Sequence, residues 1–195
     1  FILKKPLALI FGVLILDQAL KFWIKTNMII GDEIRVFDWF IIHFTENNGM
    51  AFGMQLGGEW GKYILSIFRI IAIGAIAWYL KTLVEKDTKK GVVLSIALVL
   101  AGAIGNMIDS AFYGLFFSES FGQTATFLEG GYAGFLQGRV VDMFYFPLWN
   151  GHLPAWIPIW GGDHFIFFRP VFNIADAAIS TGVINLLLFH RSFLK

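Results

Sequence analysis

The sequence predicts an all-α integral membrane protein of four transmembrane helices, with a small outer-face β-hairpin or sheet and an amphipathic surface segment. Three observations predict it. Of 195 residues, 57% are hydrophobic and 15% charged, against roughly 25% charged in a soluble domain. Four apolar stretches, about 6–24, 63–80, 92–108 and 172–189, are long enough to span a bilayer core, which needs roughly 17–25 helical residues. The segments between them are rich in Phe and Trp, whose rings suit the headgroup level.

The first stretch follows Lys4 and Lys5 as a signal peptide would, but it lacks a small-residue cleavage site. It also carries Asp17 and Lys21 in its second half, so it reads as a retained helix. The chain begins at Phe1, not Met, and an initiating segment is expected to have been removed or to lie outside this sequence. Asp17 and Lys21 are four apart on one helical face and suit a structural ion pair near the outer membrane surface. Arg69 stands in the second stretch without a local acid and is expected to snorkel or to bond a neighbouring helix. Gly102 and Gly105 in the third permit close helix packing.

Eight of the 15 basic residues lie before the first stretch, between the second and third, or after the fourth. The positive-inside rule then places both termini in the cytoplasm. Of the outer segments, about 25–62 and 111–171, the first contains Ile34–Phe44, β-branched and aromatic between turn signals, which reads as a short strand or hairpin on the membrane. The second is long and holds Pro147, Pro154, Pro158 and Pro170, a length that usually marks function. No internal repeat is visible, and residues 1–195 are expected to form a single domain.

Several classes of function are excluded. With 15 basic against 14 acidic residues and no basic tract, no nucleic-acid partner is expected. The absence of cysteine removes disulfides, thiolate chemistry and Cys-based zinc. His43, His152, His164 and His190 are scattered without a metal-binding motif, and no serine sits in a nucleophile elbow. No metal and no cofactor are expected.

What remains is carboxylate chemistry. Asn106–Asp109 closes the third stretch and Asn173–Asp176 opens the fourth, each setting an amide and an acid at i and i+3 on one face. Asp142 follows the β-branched pair Val140-Val141. Three acids thus lie at the outer ends of helices. Two carboxylates in reach of one another share a proton, one activating water while the other hydrogen-bonds a carbonyl. Spacing does not choose between Asp109 and Asp142 for such a pair. A carboxylate-based proton or ion transporter and a non-catalytic membrane scaffold are the alternatives. Transporters tend to show inverted repeats, and a scaffold leaves Asp142 and Asp176 apart.

These motifs resemble the lipoprotein signal peptidases (signal peptidase II) of bacteria across nearly the whole chain. Asp17–Lys21 is similar to the family's D-x-x-x-K, Asn47–Gly53 to N-x-G-x-A-F-G, Gly105–Asp109 to G-N-x-x-D, Val140–Asp142 to V-V-D and Phe172–Asp176 to F-N-x-A-D. The resemblance implies an aspartic endopeptidase of the bacterial inner membrane, with its active site near the outer face. Such an enzyme cuts diacylglyceryl-modified prolipoproteins before the lipidated cysteine and is sensitive to globomycin. It implies Asp142 and Asp176 as catalytic residues. Asn47, Gly49, Asn106, Asp109, Asn173 and Arg139 are then substrate-binding or positioning residues, and the Asn47–Gly53 segment closes over the site. Membrane lipid and prolipoprotein are the implied partners of a monomer. Two departures stand out. Ser110 replaces the arginine usual after G-N-x-x-D, with Arg139 or Arg169 as candidate substitutes. The insertions 111–137 and 147–168 suggest a lid or a membrane-resting platform.

Overall fold

A computed structural model describes residues 3–49, 58–159 and 161–193. Met50–Gly53, expected to close over the site, lie outside the described residues.

The apolar stretches form helices longer than the hydropathy alone marks: α1 (Lys4–Asn27), α2 (Gly58–Glu85) and α3 (Lys90–Ile108). The third does not end at Ile108. It continues through a π-helical turn, Asp109–Tyr113, into the short α4 (Gly114–Phe116). A π turn widens the ladder locally and is frequent at functional sites; this one turns the end of the G-N-x-x-D motif inward. Among the described residues three helices, Lys4–Asn27, Trp60–Glu85 and Lys90–Phe116, are long and apolar enough to cross a membrane. The last helix, α5 (Ile174–Phe189), is apolar but has 16 residues, about 24 Å at ~1.5 Å per residue. That is short of the ~30 Å hydrocarbon core. Of the four spans expected, three are helices of spanning length among the described residues, and the fourth is a shorter apolar helix.

The outer segments carry more sheet than the expected small hairpin or sheet: among the described residues they build two antiparallel sheets. β1 (Glu33–Phe37) and β2 (Phe40–Asn47) form the expected hairpin. β2 pairs with β3 (Val140–Tyr145), and β3 with β6 (Val171–Phe172), in the order β1-β2-β3-β6. The V-V-D motif is thus a strand whose first four residues are buried. Its β-branched pair suits a strand, but the strand exists only through pairing with residues about a hundred positions earlier. β4 (Trp149–His152) and β5 (His164–Phe167) make a separate hairpin from the Pro- and Trp-rich insertion.

Helix α3 is central, packing on α1, α2 and α5. One apolar cluster joins the helices through Ile10, Leu83, Val92, Ala97, Leu100 and Leu186. A second joins the far end of α1 to the sheet and to insertion 111–137 through Ile24, Met28, Phe44, Phe117, Val141 and Met143. Between the two clusters lies a buried polar layer, which contains the candidate site. The helices meet closely because Gly102 and Gly105 face α5: a Cβ at Gly102 would overlap the Ala175 carbonyl oxygen and lie 2.6 Å from Ile179 Cγ1. A rigid backbone carbonyl cannot give way as a flexible side chain can. Gly102→Ala is therefore expected to destabilise the protein by about 1–3 kcal/mol, read as a lowered thermal midpoint in detergent.

Candidate active site

The polar layer begins with Lys21, whose side chain is wholly buried. Its Nζ pairs with Asp17 Oδ2 at 3.0 Å and Asp109 Oδ2 at 2.8 Å, and donates to Asn106 Oδ1 at 3.0 Å. The expected Asp17–Lys21 pair is thus present, but as part of a larger network reaching three other elements. Asp17 Oδ1 accepts the Ala175 N–H of α5 at 2.9 Å. Asp109 Oδ2 accepts the Val141 N–H of β3 at 3.1 Å, and its Oδ1 accepts Gln18 Nε2 at 2.9 Å. Both Asp109 oxygens are occupied, and the side chain is sealed from solvent.

Asp142 and Asp176 stand differently. Asn173 caps α5: its Oδ1 accepts the Asp176 N–H at 2.9 Å, while Asp176 Oδ2 accepts the Asn173 N–H at 3.3 Å. This is a reciprocal capping box. Asn173 Nδ2 reaches the other way, to Asp142 Oδ1 at 2.8 Å, with Val141 O and Asn106 Oδ1 each at 3.1 Å sharing its two protons. One amide therefore spans the two acids. Asn106 Nδ2 holds Asp176 Oδ1 at 2.8 Å, and Asn47 Nδ2 hydrogen-bonds Asp142 Oδ2. Gly49 N–H donates to Asn47 Oδ1 at 2.6 Å. Burial, and then the nearby Asp176 carboxylate, push Asp142 up to about 7, against the pull of Asn47, Lys21 and Asn173. Asp142 is 3% exposed, whereas Asp176 is half-buried. The arrangement is two adjacent carboxylates of unlike environment, one favouring its proton, which is what coupled acid–base chemistry requires.

Arg139 is not brought to these acids. Its Nη2 bonds Glu119 Oε1 at 2.5 Å, and its Nε faces Glu46 Oε2 at 3.1 Å without hydrogen-bond alignment. Its guanidinium carbon lies 4.3 Å from the Tyr132 ring centroid. Arg169 is exposed and lines a depression with Glu33, His43 and Tyr145. The guanidinium that reaches Ser110 is Arg69, at 3.5 Å. Sequence reasoning also missed Gln18, whose amide bonds Asp17, Asp109 and the Gly105 carbonyl. It missed Lys25 as well, buried against Glu46 and Ser120. The signal for Lys25 was available, since Asp17, Lys21 and Lys25 share one face at successive turns. Among the described residues no three of His, Asp or Glu are placed to hold a metal ion.

A family model described as Signal peptidase (SPase) II matches residues 9–193. The chain belongs to the signal peptidase II family. It is 52% identical over 190 residues to a lipoprotein signal peptidase of Porphyromonas gingivalis, covering 96% of this chain and 83% of that one. Over 185 residues it is 38% identical to a lipoprotein signal peptidase of Amoebophilus asiaticus, covering 93% and 75%. It is also similar to a bacterial membrane enzyme whose structure was determined in meso at 1.9 Å resolution. The TM-score is 0.61 at 27% identity, with 95% of this chain and 91% of that one covered.

Two predictions follow from this geometry. Lys21→Met leaves Asp17 and Asp109 as unpaired buried charges and is expected to cost about 3–5 kcal/mol, measured by thermal or denaturant unfolding. The raised Asp142 makes the folded state bind a proton that the unfolded chain releases between pH about 4 and about 7. Its contribution to stability is thus lost as pH rises through that window, by about 4 kcal/mol at most. Asp142→Asn is expected to flatten that part of the stability–pH curve.

Proposed function

We propose that Asp142 and Asp176 are the catalytic aspartates of this signal peptidase II. As a member of that family, the chain is a membrane aspartic protease that removes signal peptides from prolipoproteins. The observation that carries the assignment is the single Asn173 side chain bonded at one end to Asp142 and at the other to the backbone of Asp176. Asp109, the acid that spacing left as an equal candidate, has both oxygens occupied by Lys21, Gln18 and Val141.

The reaction then runs as follows. A water lies between the two carboxyl groups. Asp176 takes a proton from it as its oxygen attacks the carbonyl carbon preceding the diacylglyceryl-modified cysteine. Asp142 donates its proton to the carbonyl oxygen. As the tetrahedral intermediate collapses, the C–N bond breaks, the cysteine nitrogen leaves with the proton from Asp176, and one hydroxyl of the intermediate returns its proton to Asp142 as the C=O bond re-forms. The products are a signal-peptide carboxylic acid and a free cysteine amine. Neither a metal nor a cofactor takes part. The neutral acid stabilises developing oxyanion charge, while the half-buried acid meets the water.

The chain lies in the cytoplasmic membrane as one domain and one monomer, with four helices embedded and both termini cytoplasmic. Its site opens near the outer face, and the substrate's acyl chains stay in the lipid. Insertion 111–137 packs on the outer end of α1, its Ala125 N–H bonding the Lys25 carbonyl at 2.9 Å and its Ser120 carbonyl accepting the Ile30 N–H at 3.2 Å. The β4–β5 hairpin rests on the membrane through residues such as Trp156 and Ile159, which are 80% and 90% exposed.

Cleavage of a diacylated prolipoprotein, with release of the signal peptide as readout, tests the assignment. Asp142→Asn and Asp176→Asn are each expected to lower turnover by at least about 100-fold in a folded protein, and globomycin is expected to block the wild type. Full activity in Asp142→Asn would overturn the assignment. Because Asp142 must carry its proton, kcat/KM is expected to fall as pH rises above about 7.

A further inference from the structure

Most of α2 faces outward with apolar side chains, Ile64, Phe68 and Ile71 among them, each about two-thirds exposed. Lys62, Ser66 and Arg69 break that pattern along a single stripe, spaced i, i+4 and i+7. All three donate toward the active-site side. Lys62 Nζ bonds the Gln137 carbonyl at 2.7 Å and Asn48 Oδ1 at 3.2 Å, and Ser66 Oγ bonds the Leu136 carbonyl at 3.3 Å. Arg69 Nη2 bonds the Gly49 carbonyl at 2.5 Å, and Nη1 reaches Ser110 Oγ at 3.5 Å.

A guanidinium inside an apolar span is costly and marks function by default. Arg69 does not snorkel along its own helix; it bridges two other elements. Gly49 makes this possible. Its φ of +81° suits glycine, and a Cβ there would lie 2.5 Å from Arg69 Nη1. The Gly49 N–H then bonds Asn47 Oδ1, and Asn47 Nδ2 bonds Asp142. On the other side, Ser110 Oγ donates to the Asn106 carbonyl at 3.1 Å, and Asn106 Nδ2 holds Asp176. Two hydrogen-bonded chains leave one guanidinium and end on the two aspartates. A serine at 110 leaves room for the guanidinium to enter.

We propose that Arg69 is a positioning residue for the aspartate pair, tying the Gly49 turn to Ser110 so that Asn47 and Asn106 hold Asp142 and Asp176 in one register. The proposal rests on the assignment of those two acids as catalytic. It requires both prongs of the guanidinium, which lysine cannot reproduce with its single ammonium. It also predicts an effect on turnover rather than on substrate affinity, because Arg69 acts through the residues that hold the acids.

The test uses the full chain in detergent with a synthetic diacylglyceryl-modified prolipoprotein peptide, measuring kcat and KM separately alongside the thermal midpoint. Arg69→Met is expected to lower kcat by about 30-fold or more with KM within about threefold. Ser110→Arg added to Arg69→Met supplies a guanidinium from the facing wall and is expected to recover about tenfold of the loss. A folded Arg69→Met with wild-type kcat, or with raised KM alone, overturns the proposal. Should Arg69→Met fail to fold, Arg69→Lys decides: reduced kcat at unchanged KM supports the proposal, and wild-type kcat overturns it. A wild-type chain that does not cleave the peptide overturns the catalytic assignment and the Arg69 proposal together. Wild-type cleavage that is lost in Asp142→Asn, with Arg69→Met unaffected, overturns the Arg69 proposal alone.

Discussion

A buried ammonium organises this molecule. Lys21 has no solvent, so its charge must be answered by protein, and Asp17, Asp109 and Asn106 answer it. Each partner has a second task. Asp17 holds the start of α5, Asp109 the backbone of β3, and Asn106 the side chain of Asp176. Helices α1, α3 and α5 and strand β3 are therefore fixed to one another around a single cation. Removing a charge from water is expensive, and only a fully bonded cluster makes it tolerable. That requirement leaves few arrangements of the surrounding elements, so the site inherits a defined geometry from a structural need.

The same network separates acids that look alike in sequence. Asn106–Asp109 and Asn173–Asp176 share one spacing, yet their carboxylates end in opposite situations. At the end of α3 the acid turns inward to Lys21 and is sealed. At the start of α5 the acid is half-buried and caps its helix, with Asn106 on its other oxygen. Asp142 comes from a strand, lies deeper, and is pushed toward its neutral form by that depth and by its neighbour. Three acids, one neutralised by a cation, one poised to hold a proton and one nearer the surface, amount to a division of labour set by environment.

A second charged cluster supports the outer half. Lys25 pairs with Glu46, which also faces Arg139, and Arg139 binds Glu119 of the insertion. Glu46 directly precedes Asn47 on β2, so this cluster anchors the strand that delivers Asn47 to Asp142. The resemblance implied Arg139 as a substrate-binding or positioning residue, a candidate substitute for the arginine that Ser110 replaces. Its partners Glu46 and Glu119 are 93 and 20 positions away, a relation that no local spacing displays. Arg69 was expected to snorkel or to bond a neighbouring helix; its partners at Gly49 and Ser110 come from other elements, so the sequence showed no local partner for it.

Local chemistry was legible wherever one element suffices. Apolar stretches gave the helices, turn signals gave the β1–β2 hairpin, the i, i+4 spacing gave Asp17–Lys21, and five ordered motifs gave the family. These depend on periodicity and composition, which a linear chain carries openly. Long-range pairing made the rest. The strand character of Val140–Tyr145, the continuation of α3 into a π turn, the placement of Arg69 and Arg139, and the unlike environments of Asp109 and Asp142 all arise where distant segments meet. Burial and hydrogen-bond satisfaction are properties of the assembled interior. The sequence by itself determined which groups were available for chemistry, and the tertiary structure decided which are neutralised, which hold one another and which remain free to act.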